Sequence, residues 1–503
     1  MIPRWRAFAG FIAVATAFGT VALLNTGGYR YGASDQAFYV PATLRHIDPS
    51  LFPRDRDLLD VEGRLMIFDE LLGAIARVVP LTVPQVFFAA YLGMLAALAA
   101  ATWLFGRTMY ASPWTAAALV FAATMRHRIA KTGVNTLEAN FHPRVLAFAV
   151  GVGALTACLR RRPVVALLLS ASAAALHPTT GLWFSCVVAI AVFVNEPRAR
   201  APLAVLSGAA AIAAVWLVAA GPLAGRWTVM GSEWLEAVAQ KDYLFPTDWS
   251  LATWATNLIY PVAIAVLFVL RRRWGRALPT EAGLAAGLAA IFLLFVASLP
   301  LTHARIALAV QLQIPRTLWL LDFYATALLI WLVVEGRWKE RAATPARPIA
   351  ARRWAVVLVA LLALSRGAFA TFVEREGQPL LTTDVPDDDW GRTMRWLQTT
   401  PVQTHVLADP GHLWRYGTSV RMAARRDVYL EDVKDSALAM YSPAMAARVV
   451  TRLRQLNDYP SITPARARDL ARAEGLDYMV TEAAIDLPLV FRSGRLRVYE
   501  LRY

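Results

Sequence analysis

Runs of about twenty apolar residues recur along this chain, and a run of that length crosses a ~30 Å hydrocarbon layer as a helix. Eleven windows stand out: 7–24, 85–105, 113–125, 144–159, 163–177, 180–195, 202–221, 252–270, 281–299, 317–334 and 354–372. The window at 113–125 is short for a full crossing, and several others span only with tilt. Apolar residues make up 57% of the 503 positions and charged residues only 17%, where a soluble chain carries about 25%. That balance excludes soluble, disordered, fibrous and disulfide-scaffold classes. The fold class expected is a polytopic α-helical membrane protein with about 11 transmembrane helices. Cys158 and Cys186 both lie inside apolar windows and read as small hydrophobes.

Orientation follows from the loops. Alternate loops (1–6, 106–112, 160–162, 196–201, 271–280 and 335–353) hold 18 basic residues and, counting Glu281 at an edge, 4 acidic ones, which places them on the inner side. The N-terminus is then inside, and an odd number of spans puts the C-terminal segment outside a cytoplasmic membrane. The basic first six residues precede an apolar run without a small-x-small cleavage site, the pattern of a retained signal anchor. Net charge is +15, yet residues 373–503 balance 18 basic against 18 acidic positions. The one large polar segment thus has no excess charge to offer a nucleic-acid backbone.

Two regions are expected: a transmembrane domain at 1–372, with a long first outer loop at 26–84, and an extracytoplasmic α/β domain at 373–503. Shorter outer loops fall at 126–143, 222–251 and 300–316. Within the first loop, Leu65, Phe68, Leu72, Ile75 and Val79 recur at helical spacing. They predict one helix over 61–79, lying in the membrane interface or packed on the C-terminal domain. In the C-terminal domain the pattern predicts a helix at 390–400, strands at 404–408, 427–433 and 478–481, a helix from Pro464 to about Glu474, and a hairpin around Ser493-Gly494. No glycine fingerprint follows any of these strands, so no nucleotide site is expected.

Polar residues crowd the outer ends of the spans, and the middles are almost free of charge. A transporter keeps polar groups near the midplane; this distribution suits chemistry at the outer surface, on a substrate half in lipid and half in water. Asp35, about ten residues beyond the first span, could serve as a general base or cap the helix that Gln36–Leu44 predicts. Asp55 and Asp57 form a D-x-D that would suit a divalent cation, Mg²⁺ or Mn²⁺, although Arg54 and Arg56 would neutralise them equally well. Arg126, His127, Arg128 and Lys131 cluster on one outer loop, with His142 and Arg144 closing it and Arg305 and Arg316 on another. Arginine forks suit phosphate oxygens; pairing with Glu138 or snorkelling to headgroups is the alternative. His142-Pro143 and His177-Pro178 both stand where a span begins.

The stretch Ser34-Asp35-Gln36-Ala37-Phe38-Tyr39-Val40-Pro41, the segment Asn140-Phe141-His142-Pro143-Arg144 and the pair His177-Pro178, together with the span layout, resemble the GT-C class of polytopic glycosyltransferases. The resemblance implies a polyprenyl-phosphate sugar donor and an acceptor at the outer face. It implies Asp35 as catalytic base, Arg126, Arg128, Arg144, Arg305 and Arg316 on the lipid phosphate, and His127, His142 and His177 beside the donor. Many members carry two adjacent acids in the first loop; here Gln36 follows Asp35. The chain is therefore expected to be a membrane glycosyltransferase. A flippase or transporter for a lipid-linked or anionic substrate, and a non-catalytic envelope assembly protein, are the alternatives.

Overall fold

The computed structural model describes residues 4–63, 66–125, 127–336, 349–456 and 458–502. Seven stretches are long and apolar enough to cross a membrane: Val83–Met109, Pro178–Asn195, Pro197–Ala219, Leu251–Arg273, Glu281–His303, Ala307–Glu335 and Arg352–Phe372. Shorter apolar helices run over Ile12–Thr26, Pro113–Thr124, Pro143–Leu159 and Pro163–Leu176. Each of these falls on one of the apolar windows of the sequence. Proline opens four of the helices at the first turn, at Pro113, Pro143, Pro163 and Pro178, where its missing N–H has no partner to lose. The helix Thr317–Glu335 sits in the middle of the bundle, with Trp319 and Trp331 fully buried. The helix Arg200–Ala219 is its opposite: only Leu203 is buried, and Leu206, Ile212 and Trp216 are exposed, as suits a lipid-facing surface.

Residues beyond Phe372 build a five-stranded sheet in the order Asp427–Val428, His405–Ala408, Tyr478–Thr481, Leu496–Glu500, Leu489–Ser493. The first three strands are parallel, and the last two add antiparallel. The helices Asp389–Gln398, Pro443–Gln455 and Pro464–Glu474 each bury an apolar face. Thr463 caps the last of these and Gly475 ends it in the left-handed conformation, as the Thr-Pro and Gly signals predict. The strand expected over 427–433 stops after two residues. Glu431 accepts hydrogen bonds from the N–H groups of Val433 (3.2 Å) and Lys434 (3.1 Å) and turns the chain into the helix Asp432–Leu438.

The first loop also departs from expectation. In place of one helix over 61–79 there are two, Arg56–Gly63 and Phe68–Val78. Ile67 N–H donates to the Ala175 carbonyl (3.2 Å), which draws the backbone out of helical register between them; residues 64–65 lie outside the described residues. Phe68 and Leu72 are buried, while Leu71, Ile75 and Val78 stay exposed, so the second helix presents an apolar outer face. It packs on the helix Gln36–Ile47.

The first loop is fastened to the C-terminal segment at several places. Tyr29 and Tyr31 donate to the Leu380 and Thr382 carbonyls, both at 2.8 Å, and run parallel to Leu381–Thr382. Gly28 makes this possible: at φ +104°, a Cβ there would stand 2.2 Å from the Leu380 oxygen. The N–H groups of Arg54 and Asp55 donate to the Asp427 carboxylate (3.1 and 3.2 Å). The Asp55 carboxylate, fully buried, accepts from Arg421 (2.6 Å) and Arg448 (2.5 Å). Arg421 is in turn forked onto Asp435 at 2.5 and 2.9 Å.

This disposes of the D-x-D as a metal pair. Both Asp55 oxygens are committed to guanidinium groups, and Asp57 is exposed on the helix Arg56–Gly63. Removing one partner of a buried ion pair leaves the other charge unpaired, at a cost of about 3–5 kcal/mol. Asp55→Asn and Arg421→Met are therefore expected to lower the thermal midpoint of the detergent-solubilised protein sharply, with Asp57→Asn unchanged.

Candidate functional site

Between the first loop, the bundle end and the C-terminal segment lies a cavity of about 520 Å³. Asp35 stands on its wall. Gly32 and Ser34, at φ +79° and +54°, coil the chain tightly before it. Asp35 itself has helical φ and ψ (−71°, −11°) and makes no capping hydrogen bond with its side chain. A cap needs extended backbone at that position; here the carboxylate is free to turn into the cavity.

There it meets two partners. His142 Nε2 lies 2.8 Å from Oδ2, and the Lys434 ammonium donates to Oδ1. The tautomer follows from the other ring nitrogen. His142 caps the helix Pro143–Leu159, its Nδ1 accepting from the Arg144 N–H at 3.1 Å. Nδ1 is thus unprotonated, and the proton on Nε2 is donated to Asp35. Burial first, and then Arg144, push the His142 imidazole below its ordinary value, which keeps it neutral. For Asp35, burial alone would raise the pKa. Lys434, followed by the His142 hydrogen bond and Arg144, outweighs it and holds the carboxyl well below the usual carboxylate range. Lys434 is buried too, yet Asp35 raises its pKa. The pair is an ion pair, carboxylate and ammonium.

The rest of the lining is strongly basic. Arg30, Arg144, Arg316, Arg375, Lys241 and Lys434 face only two carboxylates, Asp35 and Glu138. Glu138 accepts from Arg144 at 3.1 Å, so both acids are matched by a cation. Lys241 reaches only the Val433 carbonyl (2.9 Å) and Arg30 only that of Gly27 (3.1 Å). Among the described residues Arg316 and Arg375 have no ion pair, and the Arg316 Nε is buried without a hydrogen-bond acceptor. Tyr243 and an exposed Trp414 complete the wall. Four cations without a carboxylate partner give this cavity a strongly positive lining.

A second cavity, about 370 Å³ and mostly apolar, opens between the helices Pro163–Leu176, Pro178–Asn195 and Arg200–Ala219. Leu182, Leu217, Leu223 and Leu308 form its sides, and His177, Arg226 and Tyr441 stand at its polar end. His177 stands on the side of this groove that faces His142. It caps Pro178–Asn195 by accepting from the Thr180 N–H (3.3 Å), and its ring centroid is 6.4 Å from that of His142.

Of the residues singled out from the sequence, Asp35, His142, Arg144 and Arg316 converge here, with His177 behind them. The others do not. Arg126 lies outside the described residues. His127 is held between Asp322 (3.2 Å) and the Ala122 carbonyl (3.0 Å). Arg128 is exposed on the short strand Arg128–Ile129. Arg305 pairs with Asp248 at 2.9 Å and lies over the Phe245 ring. Sequence reasoning missed Lys434, Lys241, Arg30 and Arg375. The last two carried a legible signal, as the first cations beyond the first and last apolar helices.

A divalent cation does not fit beside Asp35. The next residue, Gln36, is fully buried and braces the loop: its Oε1 accepts from the Gly32 N–H (2.8 Å) and its Nε2 donates to the Phe141 carbonyl (3.2 Å). A carboxylate could not make the second bond. With one acid already neutralised by an ammonium, the site has no spare negative charge for a metal.

No protein-family profile matches this chain, and no curated protein does. Among solved structures it is similar to the archaeal oligosaccharyltransferase AglB from Archaeoglobus fulgidus, in complex with an inhibitory peptide and a dolichol-phosphate, at 12% identity and a TM-score of 0.39, over 95% of this chain and 70% of that one.

Lys434 is delivered by the helix that Glu431 caps. Burial, and then Asp435, push the Glu431 carboxyl up to about 8, against an ordinary value of about 4.3. The folded state then binds more protons than the unfolded one across this interval, so the stability from Glu431 is full below the ordinary value and lost as pH rises toward 8. The thermal midpoint is expected to fall between pH 5 and 8, and Glu431→Gln, which keeps an acceptor for the cap, to flatten that slope.

Proposed function

We propose that the chain is an integral membrane glycosyltransferase of the GT-C kind, moving a sugar from a polyprenyl-phosphate donor to an acceptor at the outer face. On this reading the eleven apolar helices are spans, the N-terminus is inside, and residues 373–503 form an extracytoplasmic domain. The observation that supports it is the nearness of two spaces: a cationic cavity around the Asp35 carboxylate, and an apolar groove whose His177 ring stands 6.4 Å from that of His142, the partner of Asp35. A lipid phosphate has those two halves.

The isoprenoid tail would lie in the apolar groove, with the phosphate drawn to Arg316 and Arg144 and the sugar in the larger cavity toward Asp35 and Trp414. The acceptor oxygen bonds to the anomeric carbon as the bond from that carbon to the phosphate oxygen breaks. The phosphate leaves with the electron pair, its charge stabilised by the arginines. The acceptor proton passes to Asp35. A carboxylate held this far below neutral pH is a weak base toward a free hydroxyl. It accepts the proton late, once the acceptor oxygen has bonded to carbon and become strongly acidic. His142 holds the carboxylate in orientation, and Lys434 keeps it ionised.

Reconstituted protein given a polyprenyl-phosphate hexose and an acceptor tests this. Asp35→Asn is expected to lower the rate about 10²–10⁴-fold, the scale of a general base, with donor affinity kept. Arg316→Gln is expected to weaken donor binding, and Asp57→Asn to leave both unchanged. Full activity of Asp35→Asn would remove the base, and movement of donor without a covalent product would favour the flippase reading. Lys434→Gln gives a pH readout. Without the ammonium the Asp35 pKa rises, the ionised form is lost at higher pH, and the acid limb of the rate profile moves toward neutrality.

A further inference from the structure

A second set of ligand-type side chains lies at the other end of the helix that Asp35 precedes. His46, in the last turn of Gln36–Ile47, faces Asp69 and Glu70 in the first turn of Phe68–Val78. His46 Nε2 is 3.7 Å from Asp69 Oδ2 and 3.9 Å from Glu70 Oε1. One donor atom from each of the three falls within 4.8 Å of the others, the one such group among the described residues.

Three features point to a ligand and away from a solvated charge cluster. Asp69 is only 4% exposed, and its Oδ1 has no hydrogen-bond partner; a buried carboxylate oxygen without a partner is costly and calls for one. The helices are built to meet here. Gly73 packs against His46, and a Cβ on Gly73 would stand 2.8 Å from the His46 Cβ, so a larger residue would drive the donor atoms apart. His46 and Glu70 are open to solvent, which gives an entry path.

We propose that His46, Asp69 and Glu70 bind a zinc ion that staples these two helices together. One imidazole and two carboxylates, with water as fourth ligand, suit zinc over magnesium or calcium, which take oxygen ligands alone. Zinc bonds of about 2.0–2.2 Å in a tetrahedron set donor atoms roughly 3.3–3.6 Å apart, a spacing the three donor atoms, all within 4.8 Å of one another, reach by closing at most about 1.5 Å. The staple lies apart from the cavity and is independent of glycosyl transfer. It stiffens the helix whose first residue, Gln36, braces the loop beside Asp35.

The test is zinc retention by the full-length chain in detergent, stripped with chelator, exposed to Zn²⁺ and desalted. About one equivalent per chain is expected, with tetrahedral visible absorption when Co²⁺ replaces it. His46→Gln and Glu70→Gln, both at the surface, should each weaken retention at least ~10-fold, as should the nearly isosteric Asp69→Asn. Zinc should raise the thermal midpoint of the wild type and not of His46→Gln. Asp35→Asn should keep the metal, so this outcome is separable from the fate of the transferase reading. No retained zinc, or zinc undiminished in the His46 and Glu70 variants, overturns the proposal.

Discussion

The arrangement at the bundle end depends on one guanidinium. Arg421, out of contact with water, is forked onto Asp435 and bonded through Nε to Asp55, a residue 366 positions away in sequence. A buried arginine is tolerable only when its donors are paired in good geometry, so this contact admits little play. Asp435 neighbours Lys434 on one helix, and the Asp55 loop follows the helix that begins just after Asp35. Fixing Asp55 to Asp435 therefore fixes Asp35 to Lys434. The cavity between them exists because two remote stretches of chain are pinned a short distance away.

Much of the architecture was legible because its causes are local. Hydrocarbon demands long uninterrupted apolar runs, and the helices fall on the windows those runs define. Thr463-Pro464, Gly475 and Ser493-Gly494 mark element ends by backbone chemistry that needs no tertiary partner. Asp35, His142 and Arg144 were readable because each sits where an apolar helix begins or has just ended. Lys434 was not, because the segment around it reads as a strand until Glu431 caps a helix, and that cap is buried beside Asp435 and Arg421. Asp55 and Asp57 misled for the same reason. Spacing two residues apart suggested a shared ion, whereas the fold buries one carboxylate under two arginines and leaves the other in solvent.

The electrostatics also separate this site from metal-dependent ones. An acid beside an ammonium, with an amide in the following position, has no surplus negative charge, and of the six cations lining the cavity four have no carboxylate partner. That imbalance is expensive in an enclosed space unless an anion resolves it. On the donor reading, the unmatched arginines would balance the departing phosphate directly, in the place a divalent ion would otherwise take.

The helix Arg200–Ala219 buries one residue and forms one side of the apolar groove. A wall held so loosely is open sideways to the bilayer. On the donor reading only the first isoprene units lie between helices, and the remainder of the tail stays dissolved among the acyl chains. The protein then measures the headgroup and its nearest carbons and is indifferent to how many prenyl units follow, so one site serves carriers of quite different length.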